Sequence, residues 1–293
     1  MDRDLCLIVN PSAGAGRAAR LLPAVEAELR SLGLSFRVER TTSMEHAREL
    51  ARGAAALGEI VAAMGGDGLT GAVAGELRDG DGVLAVLPGG RGNDFARKLG
   101  ISADPVAACA NIAGGHERRI DLAVVGDRGY LGILSAGLDS DANRLANENR
   151  LPLGTAVYAY AALRALAKWK TAHWTVAVDG EQHEFDGYCV AVSNSGVYGS
   201  GMFLVPDARL DDGLLDVVLV EAVPKHRYLA NLPKVFKGTH VSNPEVTVHR
   251  ASELKIAADR PFAIYADGDH LADLPATIRV LPRALRVIAP VGR

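Results

Sequence analysis

The sequence predicts an open α/β sheet followed by a mainly β sandwich, and two patterns carry the prediction. Over the first 125 residues short apolar runs alternate with helical stretches, as parallel strands joined by crossover helices do. Beyond Asp121 the runs become nearly alternating in polarity, and turn pairs such as Asp179-Gly180 and Asp212-Gly213 separate them, which predicts antiparallel sheet. A chain of 293 residues has room for two cores. The change of period near Gly126 to Arg128 puts an α/β domain over 1–126 and a β-sandwich over 127–293. A return of the last strand to the first domain is left open.

In the first half the strands fall at Leu5 to Val9, Phe36 to Val38, Ile60 to Met64 and Val83 to Leu87. Between the first two, Ala18, Leu21, Val25, Leu29 and Leu32 form one helical stripe, Gly33 caps its end, and Pro23 argues for a late start near Leu21. Thr42 and Glu45 have capping-box spacing ahead of a helix over Met44 to Leu57. In the second half strands are expected at Tyr130 to Ser135, His173 to Val178, Tyr188 to Val192, Leu214 to Val220, Glu253 to Ala257 and Phe262 to Ala266. Helices interrupt them at Thr155 to Trp169 and Lys225 to Lys237.

Composition narrows the function. A net charge of -3 lacks the basic surplus of a nucleic-acid binder. The longest apolar runs, such as Ala156 to Ala167, are cut by Arg164 and Lys168, short of the roughly 20 residues a bilayer span needs. Met1 to Asp4 leads straight into a strand and does not read as a signal peptide, so a cytoplasmic location is expected. Cys6, Cys109 and Cys189 lie far apart in apolar contexts, without zinc or redox spacing, and are read as core.

Three glycine-rich segments each follow a predicted parallel strand: Asn10-Pro11-Ser12-Ala13-Gly14-Ala15-Gly16, Gly65-Gly66-Asp67-Gly68, and Pro88-Gly89-Gly90-Arg91-Gly92-Asn93-Asp94. Loops at the carboxyl ends of parallel strands gather on one edge, so all three should meet there. Glycines let backbone N–H groups approach phosphate oxygens, and the helix N-termini that follow favour negative charge. The first loop, taken alone, could equally be a tight turn. None fits the Walker pattern, and the first does not fit Gly-x-Gly-x-x-Gly.

With Val205 to Asp216 and Asp267-Gly268-Asp269 added in the same order, these segments resemble the bacterial diacylglycerol kinases and their sphingosine and ceramide kinase relatives. The resemblance covers nearly the whole chain. It implies an ATP-binding first domain, a β-sandwich second domain and an active site in the cleft between them. Nucleotide positions would be Asn10, Pro11, Ser12, Ala13, Gly14, Thr41, Gly66, Asp67, Gly68, Leu69, Thr70, Gly71 and Arg91, with Asn93 and Asp94 beside them. A metal site would fall on the Asp212 carboxylate with the carbonyls of Arg209 and Leu214. The general base, usually Glu in the family, aligns with Asp269. Leu69 replaces the Thr usual in diacylglycerol kinases and looks like the sphingosine kinase version, Gly71-Ala72 replaces an Asn-Glu pair, and Arg91 replaces a small hydroxyl residue.

Phosphoryl transfer needs positioning, neutralised charge and a carboxylate to accept the hydroxyl proton. Asp67, between two glycines, is assigned to Mg²⁺. Asp94 is either part of that site or the cap of the helix Phe95 to Leu99. Asp269 is assigned as proton acceptor and Asp267 as its support. The alternative for that pair is an ordinary hairpin turn. Asp211-Asp212-Gly213 could likewise be a plain turn, and Arg91 either a phosphate clamp or a solvated side chain.

The expected activity is ATP-dependent phosphorylation of a lipid hydroxyl, diacylglycerol to phosphatidic acid, with sphingosine or another lipid alcohol as the alternative acceptor. An NAD kinase-like enzyme and a non-catalytic nucleotide or lipid sensor are the rival classes. The lipid would be met at a membrane surface, with peripheral attachment to the inner face and a homodimer both left open. Trp169, Lys170 and Trp174 read either as an interfacial anchor or as core boundary residues. Lys225, His226, Arg227, Lys234 and Lys237 either meet anionic lipid or form a solvated face. His173, His183 and His249 are expected at the surface.

Overall fold

The computed structural model describes residues 3–78, 80–148, 156–199 and 201–291. They form two compact units. The first holds the chain up to Leu131, Leu210–Gly213 and the chain from Leu281, and the second holds Gly132–Arg209 and Leu214–Val280.

In the first unit β1 (Leu5–Val9), α1 (Ala13–Ser31), β2 (Phe36–Arg40), α2 (Met44–Ala56), β3 (Ile60–Gly65), α3 (Asp67–Leu77) and β4 (Val83–Pro88) alternate. Then come α4 (Asp94–Lys98), α5 (Pro105–Gly114), β5 (His116–Val125) and β6 (Arg128–Tyr130). The strands lie parallel in the order β4-β3-β1-β2. Every residue of β1, β3 and β4 is buried, as in sheets covered on both faces. Cys6 and Cys109 belong to this core, and burial pushes both thiols up to about 11.

The stripe of α1 turns inward at Ala18, Leu22, Val25 and Leu29. The helix starts earlier than Pro23 predicts: after left-handed residues at Gly14 to Gly16 it runs regularly through the proline. Burying the stripe outweighs the one backbone bond that proline removes. Gly33, at φ +71, ends it as expected, with Leu34 N–H donating to the Leu29 carbonyl. The cap of α2 is Ser43 and not Thr42. Ser43 has the extended backbone of a cap and its hydroxyl accepts the His46 N–H at 3.0 Å, while Glu45 pairs with Arg48 and Arg52.

The second unit contains β7 (Ile133–Gly137), α6 (Leu138–Glu148), α7 (Ala156–Lys168), β8 (Ala172–Val178), β9 (Glu181–Ser193), β10 (Val197–Tyr198), β11 (Met202–Phe203) and β12 (Leu215–Glu221). It continues with α8 (Lys225–Val235), β13 (Val246–Ala251), β14 (Glu253–Ala258), β15 (Ala263–Ala266) and β16 (Asp269–Asp273). β9 pairs with β8 along Glu181 to Gly187, then with β7 on one side and β12 on the other along Cys189 to Ser193. The strand thus changes neighbours along its length while staying within one hydrogen-bonded sheet. The last strand, β17 (Ala276–Ala289), pairs antiparallel with β14 through Ala276 to Arg279 and parallel with β4 through Arg286 and Val287.

The single strand expected over Tyr130 to Ser135 is two. β6 ends at Tyr130 and β7 begins at Ile133, because the N–H groups of Gly132 and Ile133 go to the Asp267 carboxylate at 2.9 and 3.2 Å. Both tryptophans are core residues and not an interfacial anchor. Trp174 lies in β8, fully buried between Phe185 and Phe262, and Trp169 stacks on Tyr188 at 6.3 Å. The histidines differ: His173 is exposed and paired with Asp186, whereas His183 and His249 are half-buried with ring centroids 4.3 Å apart.

Candidate functional site

The three glycine loops meet because their strands are neighbours. The sheet bonding runs on past the strand ends: Asn10 N–H donates to Met64 O, Thr41 N–H to Val9 O, and the N–H groups of Gly89 and Gly90 to Gly65 O. The Asn10 side-chain oxygen accepts the Ser12 N–H at 3.0 Å and Ala13 N–H returns to the Asn10 carbonyl, closing the turn through Pro11. Two contacts require glycine. A Cβ on Gly14, at φ +59, would lie 2.6 Å from Gly89 O, and one on Gly90 would lie 2.4 Å from Gly66 Cα. Ala15 also holds a left-handed backbone, at φ +56. For a non-glycine residue that costs about 1–2 kcal/mol and is typical of functional loops.

Asp67, the first residue of α3, is half-buried beneath the third loop. Its Oδ2 accepts the Asp94 N–H at 3.1 Å and its Oδ1 the Phe95 N–H at 3.0 Å. Asp67 therefore satisfies the N-terminus of α4. Asp94, the alternative cap, sits inside that helix, buried, and accepts from Arg97. Desolvation pushes the Asp67 carboxyl above its ordinary range and Asp94 adds to the shift, while the loop N–H groups pull it back. Asn93 holds the loop shut, accepting the Gly90 N–H at 2.9 Å and donating to the Gly90 carbonyl at 3.0 Å.

Three basic side chains stand on or beside the loops. Arg91 is exposed. Arg17 ties α1 to the loop after β4, donating to Pro88 O at 3.3 Å and Ala103 O at 3.1 Å, and Arg20 donates to Ala15 O. The remaining nucleotide candidates face inward. Thr41 is buried, its hydroxyl held by Ser43 backbone groups. Leu69, Thr70 and Gly71 are buried in α3, with the Thr70 hydroxyl donating to Gly66 O at 3.1 Å. Of that stretch, Gly66, Asp67 and Gly68 alone keep partial exposure.

In the second unit Asp267-Gly268 is the two-residue turn of the β15–β16 hairpin, with φ +52 and +94. Asp267 is a pin: besides accepting from Gly132 and Ile133, its N–H donates to Ile133 O. Asp269 opens β16 and is exposed. The expected metal donors are one carboxylate and two carbonyls, and among the described residues no three His, Cys, Asp or Glu side chains gather as a metal site. Leu210–Gly213 is fixed in the first unit by Asp121, which is fully buried. Its Oδ2 accepts the Gly213 N–H and its Oδ1 the Arg283 N–H, both at 2.7 Å. Sequence reasoning passed over Asp121, although an acid at the head of an apolar run is a signal.

It also passed over Asp139, at the start of α6. The Cys189 thiol lies 3.7 Å from its Oδ2, and the Tyr188 and Tyr228 rings stand 4.4 Å apart nearby. Burial pushes the Asp139 carboxyl up, against hydrogen bonds from Cys189 and Tyr228, and the Tyr198 and Tyr228 hydroxyls are pushed well up too. With its folded pKa raised, Asp139 binds its proton more tightly in the folded state, so stability falls as pH rises from the ordinary value of 3.8 through the raised one. Asp139→Asn is expected to raise the thermal midpoint at pH 7, with the gain vanishing below pH 3.8, as followed by circular dichroism melts.

Comparisons with known proteins agree along the whole chain. The family described as diacylglycerol kinase catalytic domain matches residues 4–125, and the YegS C-terminal NAD kinase beta sandwich-like domain matches residues 132–289. A diacylglycerol kinase of Mycobacterium tuberculosis is 32% identical over 97% of this chain and 94% of its own length. A Pseudomonas aeruginosa protein named "Probable lipid kinase YegS-like" is 31% identical over 100% of this chain and 96% of its own. The crystal structure of a diacylglycerol kinase from Bacillus anthracis str. Sterne shares the fold at a TM-score of 0.81, with 22% identity, covering 98% of this chain and 97% of that one. The chain belongs to the diacylglycerol kinase-like superfamily of lipid kinases.

Proposed function

We propose that the protein phosphorylates diacylglycerol to phosphatidic acid with ATP and Mg²⁺, at the inner face of the membrane. The observation that carries the nucleotide half is the convergence of three glycine loops on one sheet edge, with basic side chains around them. Bound ATP would supply the phosphoryl group, and Mg²⁺ would offset the phosphate charge.

Gly14 and Gly66 to Gly68 would offer backbone N–H groups to the phosphates, with Asn10 to Ala13 holding the first loop in shape through their own bonds and exposed Arg91 as a cation beside them. Asp67, half-exposed, keeps lone-pair capacity beyond its backbone bonds, and that capacity would face a hydrated magnesium ion. Asp212 with the Arg209 and Leu214 carbonyls is a hard-oxygen donor set, suited to a structural Mg²⁺. Asp269, exposed at the hairpin, would accept the proton of the acceptor hydroxyl as its oxygen bonds to phosphorus and the bond to the ADP oxygen breaks. Asp267 would hold that hairpin in place.

Diacylglycerol is preferred over sphingosine because Leu69, the sphingosine kinase-like substitution, is buried against Gly65 and so answers to packing. Purified protein given labelled ATP and a panel of diacylglycerol, sphingosine, ceramide and NAD should label diacylglycerol most. Labelling of NAD, or of no acceptor, would remove the proposal. Exhaustive chelation with EDTA should stop turnover, and added Mg²⁺ should restore it. Full turnover without divalent ions would exclude the metal role.

A further inference from the structure

Helix α8 leaves large apolar side chains in solvent. A surface helix normally turns apolar residues inward and charges outward. Here no residue of α8 is buried; Tyr228, Leu232 and Val235 are half-buried, with the Tyr228 ring 4.4 Å from that of Tyr188, and the remaining inward contacts are polar. Arg227 and Asn231 hold the two oxygens of buried Glu245 at 2.8 and 2.6 Å, and Lys234 donates to Asn243 at 2.6 Å. Two large apolar side chains are exposed among the charges: Leu229 is 38% exposed and Phe236, just past the helix, 57%. Lys225, Leu229, Leu232 and Phe236 recur at helical spacing and so share one side. Phe203 extends the apolar strip, being exposed and next to the Gly238 turn.

The flanks of this strip are basic. No acid occurs from Ala222 to Pro244, in a chain whose net charge is -3. Arg227 is neutralised by Glu245, but among the described residues Lys225 and Lys234 bond to the uncharged Ala167 O and Asn243 Oδ1. Lys237 and His226 are exposed. An outward apolar strip edged by uncompensated lysines fits an anionic bilayer surface, with the rings and aliphatic chains at the level of the headgroups and the lysines on phosphates.

We propose that α8 is the membrane-docking element of this protein, Leu229 and Phe236 entering the interface and Lys225 and Lys237 contacting anionic headgroups. The docking rests on the lipid-kinase reading for its purpose, since a diacylglycerol acceptor lies in a membrane. Its test does not depend on turnover. Full-length protein should sediment with vesicles of equal phosphatidylglycerol and phosphatidylcholine and not with phosphatidylcholine alone, and added salt should weaken the binding. L229S/F236S and K225E/K237E should each bind the anionic vesicles at least ~10-fold more weakly while melting like wild type. Both variants should still phosphorylate a short-chain, water-dispersed diacylglycerol at the wild-type rate. Variants that bind vesicles like wild type, or wild type that binds neutral vesicles equally well, would overturn the docking. Loss of all lipid phosphorylation by wild type with vesicle binding intact would overturn the enzymatic reading and leave the docking standing.

Discussion

Asp67→Ala is expected to lower turnover by at least ~100-fold, the usual effect of removing a group aimed at charge in a transferring phosphoryl group. It should also destabilise the first unit, and here the structure changes what a sequence reading expects. An acid flanked by glycines looks like an exposed loop residue whose removal leaves the fold untouched. In the folded chain its carboxylate accepts the N–H groups of Asp94 and Phe95, two of the donors that the first turn of α4 leaves outside the helix ladder. Leaving such donors unsatisfied costs about 1–3 kcal/mol. Asp67→Asn separates the two roles, because the amide oxygen still accepts an N–H while the charge is gone. A well-folded Asp67→Asn protein without turnover supports the metal assignment. Turnover that tracks only the folded fraction across both variants would reduce Asp67 to a capping residue.

The loops were legible in sequence for a simple reason: glycine, proline and asparagine mark positions where backbone geometry, and not packing, sets the choice. The strands of the first unit were equally plain, because buried parallel strands are unbroken apolar runs. What escaped notice lacked a period. Helix α3 carries Gly68, Gly71 and Gly75 and is buried on nearly all sides, so no polar face marks its turns. Strand β5 opens with the charged run His116 to Arg119, which hides its apolar second half. The use of Asp67 and Asp267 as backbone acceptors was illegible because their partners lie 27 and 135 positions away. Sequence spacing of two acids around a glycine is the same for a turn and for a base with its support.

Asp269 is where that ambiguity can be resolved by measurement. Asp267 is committed to Gly132 and Ile133, whereas Asp269 is exposed at the head of β16, so the two acids of the hairpin have different duties. Asp269→Asn keeps size and hydrogen-bonding capacity but cannot take a proton, and turnover should fall by roughly 100-fold or more, the usual share of general-base catalysis. ATP affinity, which the proposal assigns to the loops of the first unit, should stay at the wild-type value by calorimetry. Asp269→Glu, the residue most of the family carries, should keep measurable turnover, its carboxylate displaced by one methylene. Asp267→Asn should instead lower the melting temperature, because a neutral amide oxygen accepts from Gly132 and Ile133 more weakly than a carboxylate does. Steady-state kinetics with diacylglycerol, read beside the melts, distinguishes the outcomes. If Asp269→Asn turns over like wild type while Asp267→Asn is folded and inactive, the base is Asp267 and the pinning contact belongs to the chemistry.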